Sequence, residues 1–420
     1  MQTAHRTPCV LLIFILILVT LNGCRQPEKE FTCTDKLGCV HVGPGQPIKI
    51  GVLQALHAKV LPLGLAQLHG LELALEKHNN ILLGHPIALQ VEDTGCTAEG
   101  GANAALKIIA DPQSVAIFGT TCSQAAMTAS QVMSDAGLTM ISGNNSSPHL
   151  TSVNGVAGQH WQPGFFRTAS NEENAGKAAA FFAFNKLGVR KAATLNDGDI
   201  YSKGLIMSFS NSFAELGGEI VLGAAIAKGE TEMQPVLAAV SQAGAELLFF
   251  PLFQPEGNLI LLQAKASPEL SDLILMSDGA LIEQSFIDTV GNRGIGLYFV
   301  GPRPPEGAKT EQLTTAYLQK FGSLPSTSYY ITAYDAADML FYAIKNISVT
   351  SPDGSLYIGR QALRNMLHSI ANYDAVSGSL TCDRYGDCGT SVFNILRLED
   401  PSAGVKGLEK NVLYTYPEHL

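Results

Sequence analysis

The chain carries none of the short motifs that mark the common catalytic machineries. It has no GxSxG elbow for an activated serine, no GxxxxGK[ST] phosphate loop, no HExxH zinc helix, and no GxGxxG opening a helix after a strand. The ten histidines are scattered, and His149 and His160 have no acidic or cysteine partner at a useful spacing. CxxC is missing, as is any Cys/His cluster of zinc spacing, so no metal is expected. Basic residues are the minority, 27 Lys and Arg against 37 Asp and Glu for a formal charge of −10, and they form no stripe. A nucleic-acid backbone is thereby excluded as a partner. There is no low-complexity tract, and no apolar run of membrane length beyond the first residues. A non-enzymatic protein without cofactor is the expectation.

What is present begins with an export signal. Arg6 is the positive n-region, and residues 10–20, VLLIFILILVT, are an apolar h-region too short to span a bilayer comfortably. Leu21-Asn22-Gly23-Cys24 then resembles a bacterial lipobox, so residues 1–23 read as a lipoprotein signal peptide and Cys24 as the lipid-bearing residue. Six cysteines remain beyond Cys9 and Cys24: Cys33 and Cys39, Cys96 and Cys122, Cys382 and Cys388. An even count at these spacings in an exported chain implies three disulfides, although six cysteines allow 15 connectivities. Asp374, Asp383 and Asp387 lie near the last pair. A disulfide-pinned turn is expected there rather than a calcium site.

The body has the rhythm of an α/β protein: 46% hydrophobic and 15% charged residues, globular in balance. A tether is expected over 24–47, with folding beginning at Ile48. Strands are expected at 48–53, 87–92, 115–118 and 138–141, with helices at 65–78, at 98–110 capped by Thr97, and through 125–133. The stretch 115–150 is the most informative. Its two apolar runs each stop at a small polar loop, Gly119-Thr-Thr-Cys-Ser and Ser142-Gly-Asn-Asn-Ser-Ser, with a helix between them. In a parallel sheet both loops fall on the carboxyl edge, where such sheets bind ligands. Hydroxyls and helix-start N–H groups there suit a small carboxylate. The pattern restarts with strands at 192–195, 219–226, 246–251, 272–276 and 295–300, interleaved with helices at 201–216, 233–243 and 256–266. Helices at 310–321, 329–345 and 359–368 and a strand at 391–398 close the chain. Two α/β series imply two doubly wound parallel-sheet lobes.

The residues IKIGVL, VEDTGC, FGTTCS, MISGNNSSPHLT, FFRT, FFPLFQPEGN, LMSDG, AYDAADML and SGSLTCDRYGDC, in this order, resemble the leucine/isoleucine/valine-binding proteins, the type I periplasmic solute-binding proteins of ABC transporters. The resemblance spans nearly all of residues 48–398. It implies three interlobe crossings near 167–170, 301–305 and 375–380. The first lobe would then comprise 48–167 and 303–376, and the second 168–302 and 377–420. It also implies a site. Thr121 backbone and Ser123 hydroxyl would receive the solute carboxylate, with Asn144 backbone and Ser146 hydroxyl taking further carboxylate and ammonium contacts. Tyr201 would close from the second lobe, Phe253 and Leu63 would form walls, and Asp278 would meet the ammonium. Ser146 stands where the family usually has Thr, Phe253 where many members have Tyr, and Asp278 where a longer Glu is frequent. The implied partners are an amino-acid-like solute, branched-chain first, the permease subunits, and the membrane through the N-terminal lipid. A ligand-sensing subunit of the same fold, acting on a membrane receptor, is the alternative.

Overall fold

Ile48–Gln54 is the central strand of the first lobe, and its composition explains its place. Ile48, Ile50 and Val52 enter one core cluster and Leu53 another, so an almost unbroken apolar run is what the position requires. The computed structural model describes residues 1–3 and 31–417. The architecture that follows belongs to the unit from Asp35 onward. The signal peptide and Cys24 lie outside the described residues.

In the first sheet, Ile48–Gln54 pairs in parallel with His85–Asp93 on one side and Ser114–Gly119 on the other. Met140–Ser142 and Phe165–Arg167 continue the parallel order, and Ile81–Leu82 adds a short antiparallel edge. The helices Leu61–Lys77 and Tyr329–Ile347 pack together on this sheet. Gly70 permits their approach: a Cβ there would sit 2.4 Å from the carbonyl oxygen of Tyr330. Ala98–Ile109, capped by the Thr97 hydroxyl on Gly100 N–H, and Ser123–Asp135 enclose a further core with Ile117 and Met140.

The second sheet runs Glu219–Ala225, Lys191–Asn196, Leu247–Phe249, Ile274–Asp278, Tyr298–Pro302, Phe393–Arg397, Val412–Tyr416. Its first five strands are parallel, and the last two are antiparallel to their neighbours. The expected parallel-sheet lobe is present, with an antiparallel pair of strands added at its tail. The chain between Tyr298–Pro302 and Phe393–Arg397 runs through the helices on the first sheet, so no crossover helix covers the second sheet between these strands and they pair antiparallel. The chain passes between the sheets after Arg167, returns after Pro302 to the helices on the first sheet, and rejoins the second at Phe393.

The expected start of folding at Ile48 is corrected. Cys39–Val42 pairs antiparallel with Leu356–Gly359, burying Val40 and Val42. Asp35 accepts N–H bonds from Gln361 and Ala362 (3.0 and 2.9 Å) at the start of the helix Arg360–His368. A four-residue strand whose partner lies more than three hundred positions away has no local signature.

Disulfides join Cys96 to Cys122 and Cys382 to Cys388, and Cys33 and Cys39 are both disulfide-bonded. The acidic residues near the last pair serve protein donors. Asp383 accepts the N–H of Tyr385 and Asp387, Asp387 pairs with Arg167, and Asp374 pairs with Lys309. Cys96–Cys122 links the loop after His85–Asp93 to the residue before the Ser123 helix, closing 26 positions. Cys96→Ser with Cys122→Ser is expected to cost about 2–4 kcal/mol of stability, chiefly by freeing the unfolded chain. Urea unfolding of the double variant measures this, and an unchanged midpoint would refute it.

Candidate functional site

Two loops at the carboxyl edge of the first sheet make one wall of a cleft. Gly119 ends its strand at φ +145°, with Leu53 carbonyl so close that a Cβ would lie 2.2 Å from it, so only glycine fits this turn. The loop is then locked by side chains. Ser142 Oγ accepts the N–H of Asn144 and Asn145 (3.1 and 3.0 Å) and donates to Thr120 carbonyl (3.1 Å). Thr121 Oγ1 donates to Gln54 (2.7 Å) and accepts Ala55 N–H (2.9 Å), and Asn144 Nδ2 donates to Thr121 carbonyl (2.8 Å). Of the Asn144 backbone expected at the solute, the N–H is bonded to Ser142. Ser123 opens a 13-residue helix, whose first N–H groups have no partner within the helix, and its Oγ accepts Ser147 N–H (3.3 Å).

The second lobe supplies the opposite wall. Asp199 caps the helix Ile200–Glu215 through Tyr201 N–H and is held by Lys228 (2.8 Å). The Tyr201 ring stacks on Phe253 with centroids 5.0 Å apart. The Tyr201 hydroxyl donates to Asp278 and lies 3.5 Å from Glu172, which in turn accepts the Ser146 hydroxyl (2.6 Å). Asp278, at the end of the strand Ile274–Asp278, is 0% exposed, and its Oδ1 has no hydrogen-bond partner. Burial pushes the Glu172 carboxyl up to about 7. Burial, and then repulsion by Glu172, raises Asp278 well above the usual carboxylate range. Burial of both groups and their mutual repulsion favour the protonated form of each over what an exposed carboxyl would show. Burial also raises Tyr201 and Tyr329, so both phenols stay neutral donors.

Leu63, Thr121, Ser123, Asn144, Ser146, Tyr201 and Phe253 line one small cavity, with Ala280 and Tyr329. Of the expected set, Asp278 alone is not on that lining; it stands beside it, bonded to Tyr201. Gln67 donates to the Tyr329 carbonyl (3.1 Å) and fixes that corner. Sequence reading missed Glu172 and Tyr329. Glu172-Glu173 before a helix reads as an ordinary complement to the helix dipole, and Tyr329 as core. Nothing local marks either as facing a cleft.

The lobes are in contact around this cavity. Ile200 N–H donates to Gln124 Oε1 (3.1 Å), Ser147 Oγ donates to Ile200 carbonyl (3.0 Å), and Glu172 N–H donates to Ser146 carbonyl (3.1 Å). The space enclosed is about 20 Å³, room for a single water. An amino acid does not fit that space in this arrangement of the lobes. Among the described residues there is no group of three or more potential metal ligands, and no helix long and apolar enough to cross a membrane.

Two α/β lobes are joined by three chain passages, and one cavity is lined from both. The chain belongs to the periplasmic binding protein family, whose sequence profile matches residues 47–400. Among its relatives is the Leu/Ile/Val-binding protein homolog 3 of Brucella melitensis, 23% identical over 86% of this chain and 94% of that one. The fold is similar to that of a leucine-binding protein from Thermotoga maritima, with 21% identity, TM-score 0.73, and coverage of 84% of this chain and 96% of that one. It is also similar to that of a solute-binding protein of an ABC transporter from R. palustris in complex with benzoate, with 19% identity, TM-score 0.71, and coverage of 84% and 93%.

Proposed function

We propose that this protein is the extracytoplasmic, lipid-anchored receptor of an ABC importer, and that its solute is an α-amino acid, branched-chain first. The observation that carries the reading is Asp278 Oδ1, fully buried and unpartnered, beside Glu172 and under the Tyr201 hydroxyl. A buried acceptor without a donor is costly, and an ammonium group supplies the missing one. The solute ammonium would replace a proton held by Glu172 or Asp278 and take Ser146 Oγ as well. The carboxylate would lie at the Ser123 helix start, against the Ser123 hydroxyl and the Thr121 backbone. Leu63, Phe253 and Tyr329 would enclose an apolar side chain. An aryl carboxylate such as benzoate carries no cation, and it would leave the acidic pair unanswered.

Capture begins with the lobes apart. Closure is favoured by solute because Glu172, Tyr201 and Asp278 reach it only from the second lobe. The closed complex would dock on the permease, while diacylglycerol on Cys24 holds the protein at the membrane. Calorimetric titration of a soluble form starting after Cys24 tests the reading. One or more of leucine, isoleucine and valine are expected to bind saturably at one site, and Ser123→Ala to weaken that binding about tenfold. Benzoate binding in place of all three would remove the ammonium role. Silence from the panel, with the protein folded, would overturn the amino-acid reading.

A further inference from the structure

Arg167 does not line the cavity, yet it is fully buried and uses four of its five N–H donors on what surrounds it. Nε donates to Asp387 Oδ1 (2.5 Å), and Nη2 to Thr151 Oγ1 (2.5 Å). Nη1 donates to the carbonyls of Asn145 (3.2 Å) and Ser147 (2.8 Å). Those two carbonyls flank Ser146. One guanidinium nitrogen therefore pins the backbone on both sides of the residue whose hydroxyl meets Glu172.

Asp387 is the other half of the device. Its Oδ2 accepts Asn171 Nδ2 (3.0 Å) and Ser152 Oγ (3.3 Å), so it also holds the residue next to Glu172. Backbone bonds run both ways beside it: Arg167 N–H to Gly386 carbonyl, and Cys388 N–H to Arg167 carbonyl, each 2.9 Å. Asp387 itself is set by Asp383, which accepts its N–H (2.9 Å), inside the turn closed by Cys382–Cys388. A turn near the end of the chain is thus tied to the loop carrying Asn144 and Ser146, and to the segment carrying Glu172.

We propose that Arg167 and Asp387, braced by the Cys382–Cys388 bridge, are positioning residues that hold Ser146 and Glu172 in the geometry the solute requires. The inference rests on the reading above in one respect, that Ser146 and Glu172 meet the solute. A purely structural role would weaken the whole lobe instead. The two are separated by hydrogen exchange on the solute-free protein, which needs no ligand and stands whether or not leucine binds.

In Asp387→Ala the amides of residues 144–147 are expected to exchange about tenfold faster or more, with those of residues 50–52 in the central strand unchanged. Asp387→Asn keeps an acceptor for Arg167 Nε, and is expected to fall between it and the parent; it also carries the test if the alanine variant does not fold. Cys382→Ser with Cys388→Ser is read by fluorescence. Trp161 is the sole tryptophan, and its Nε1 donates to the Tyr385 carbonyl (3.1 Å) within the bridged turn. Its emission is expected to shift, with faster exchange at 144–147. Unchanged exchange at 144–147 in the folded Asp387 variants, or equal acceleration at 50–52, would overturn the positioning role. A cysteine variant with unaltered emission and exchange would overturn the part assigned to the bridge.

Discussion

Gly204→Leu is expected to weaken solute capture about a hundredfold while leaving both lobes folded. Gly204 lies in the first turns of the helix Ile200–Glu215, on the second lobe, and it faces the first. A Cβ added there would stand 3.1 Å from Pro148 Cδ, 3.5 Å from Ser147 Oγ and 3.9 Å from His149 Cδ2. An alanine needs only a slight adjustment. Leucine brings three further carbons into the same contact, and overpacking of that kind costs about 1–3 kcal/mol where nothing can move. Here something can move if the lobes part, as the proposed capture requires. The three atoms nearest the added Cβ all belong to the first lobe, and the helix gains close to 1 kcal/mol of intrinsic propensity on losing its glycine. The strain therefore falls on closure alone. If the closed form becomes roughly a hundred times scarcer, the apparent affinity drops by the same factor. Titration with the amino acid that binds the parent reads this loss. Small-angle scattering should show a larger radius of gyration with no contraction on adding solute, and the urea midpoint should hold. Parent-like affinity in Gly204→Leu would refute the closure contact.

Asp278→Asn is expected to move stability and affinity in opposite directions. Asp278 is a fully buried carboxyl, raised by burial and by Glu172 beside it. An amide of the same shape removes that penalty, so the solute-free protein should become more stable at pH 8, by about 1–3 kcal/mol. The same change removes a charge that the solute ammonium would meet in a dry site, a loss of about 3 kcal/mol or more, roughly a hundredfold in affinity.

The acidic pair also sets a pH dependence with a definite sign. Glu172, ordinarily near 4.5, is pushed up to about 7 by burial. A carboxyl with a raised folded-state value holds its proton more tightly when folded. Its contribution is fully present below the unfolded value and is lost as pH rises through the folded one. The solute-free protein should therefore lose up to about 3 kcal/mol from this group between pH 4.5 and somewhat above 7. Asp335, raised to about 6 by burial, acts in the same direction over a lower window. Carboxylates held below their usual range, such as Glu92 and Asp111 beside their lysines, act only in more acid solution. Amino-acid affinity should run the other way, weakening below pH 7 by as much as tenfold per unit, because the ammonium competes with protons on the pair. Urea midpoints and titrations across pH 5–8 check both slopes. Glu172→Gln should flatten both, and an unaltered profile in that variant would exclude Glu172 as their source.

Local order was legible where local physics decides it. The helix expected at 256–266 is Glu256–Ala266, and Thr97 caps its helix as its position implies. The polar loops after the runs at 115–118 and 138–141 do end neighbouring parallel strands, and Thr121, Ser123, Asn144 and Ser146 do border one cavity. The strands at 39–42 and 412–416 were not legible, since pairing partners far along the chain stabilise each. Glu172 was hidden for the same reason. Its neighbours in sequence mark a helix start, whereas its neighbours in space are Ser146, Tyr201 and Asp278.

By itself, then, the amino-acid order determined the alternation of strand and helix and the small polar loops at strand ends, because periodicity, capping and turn chemistry act within a few residues. The tertiary structure alone decided which second-lobe groups face those loops, that two carboxyls share one dry corner, and that a turn near residue 387 steadies Ser146. Burial and like-charge proximity depend on how distant segments come together, and no spacing along the chain encodes them.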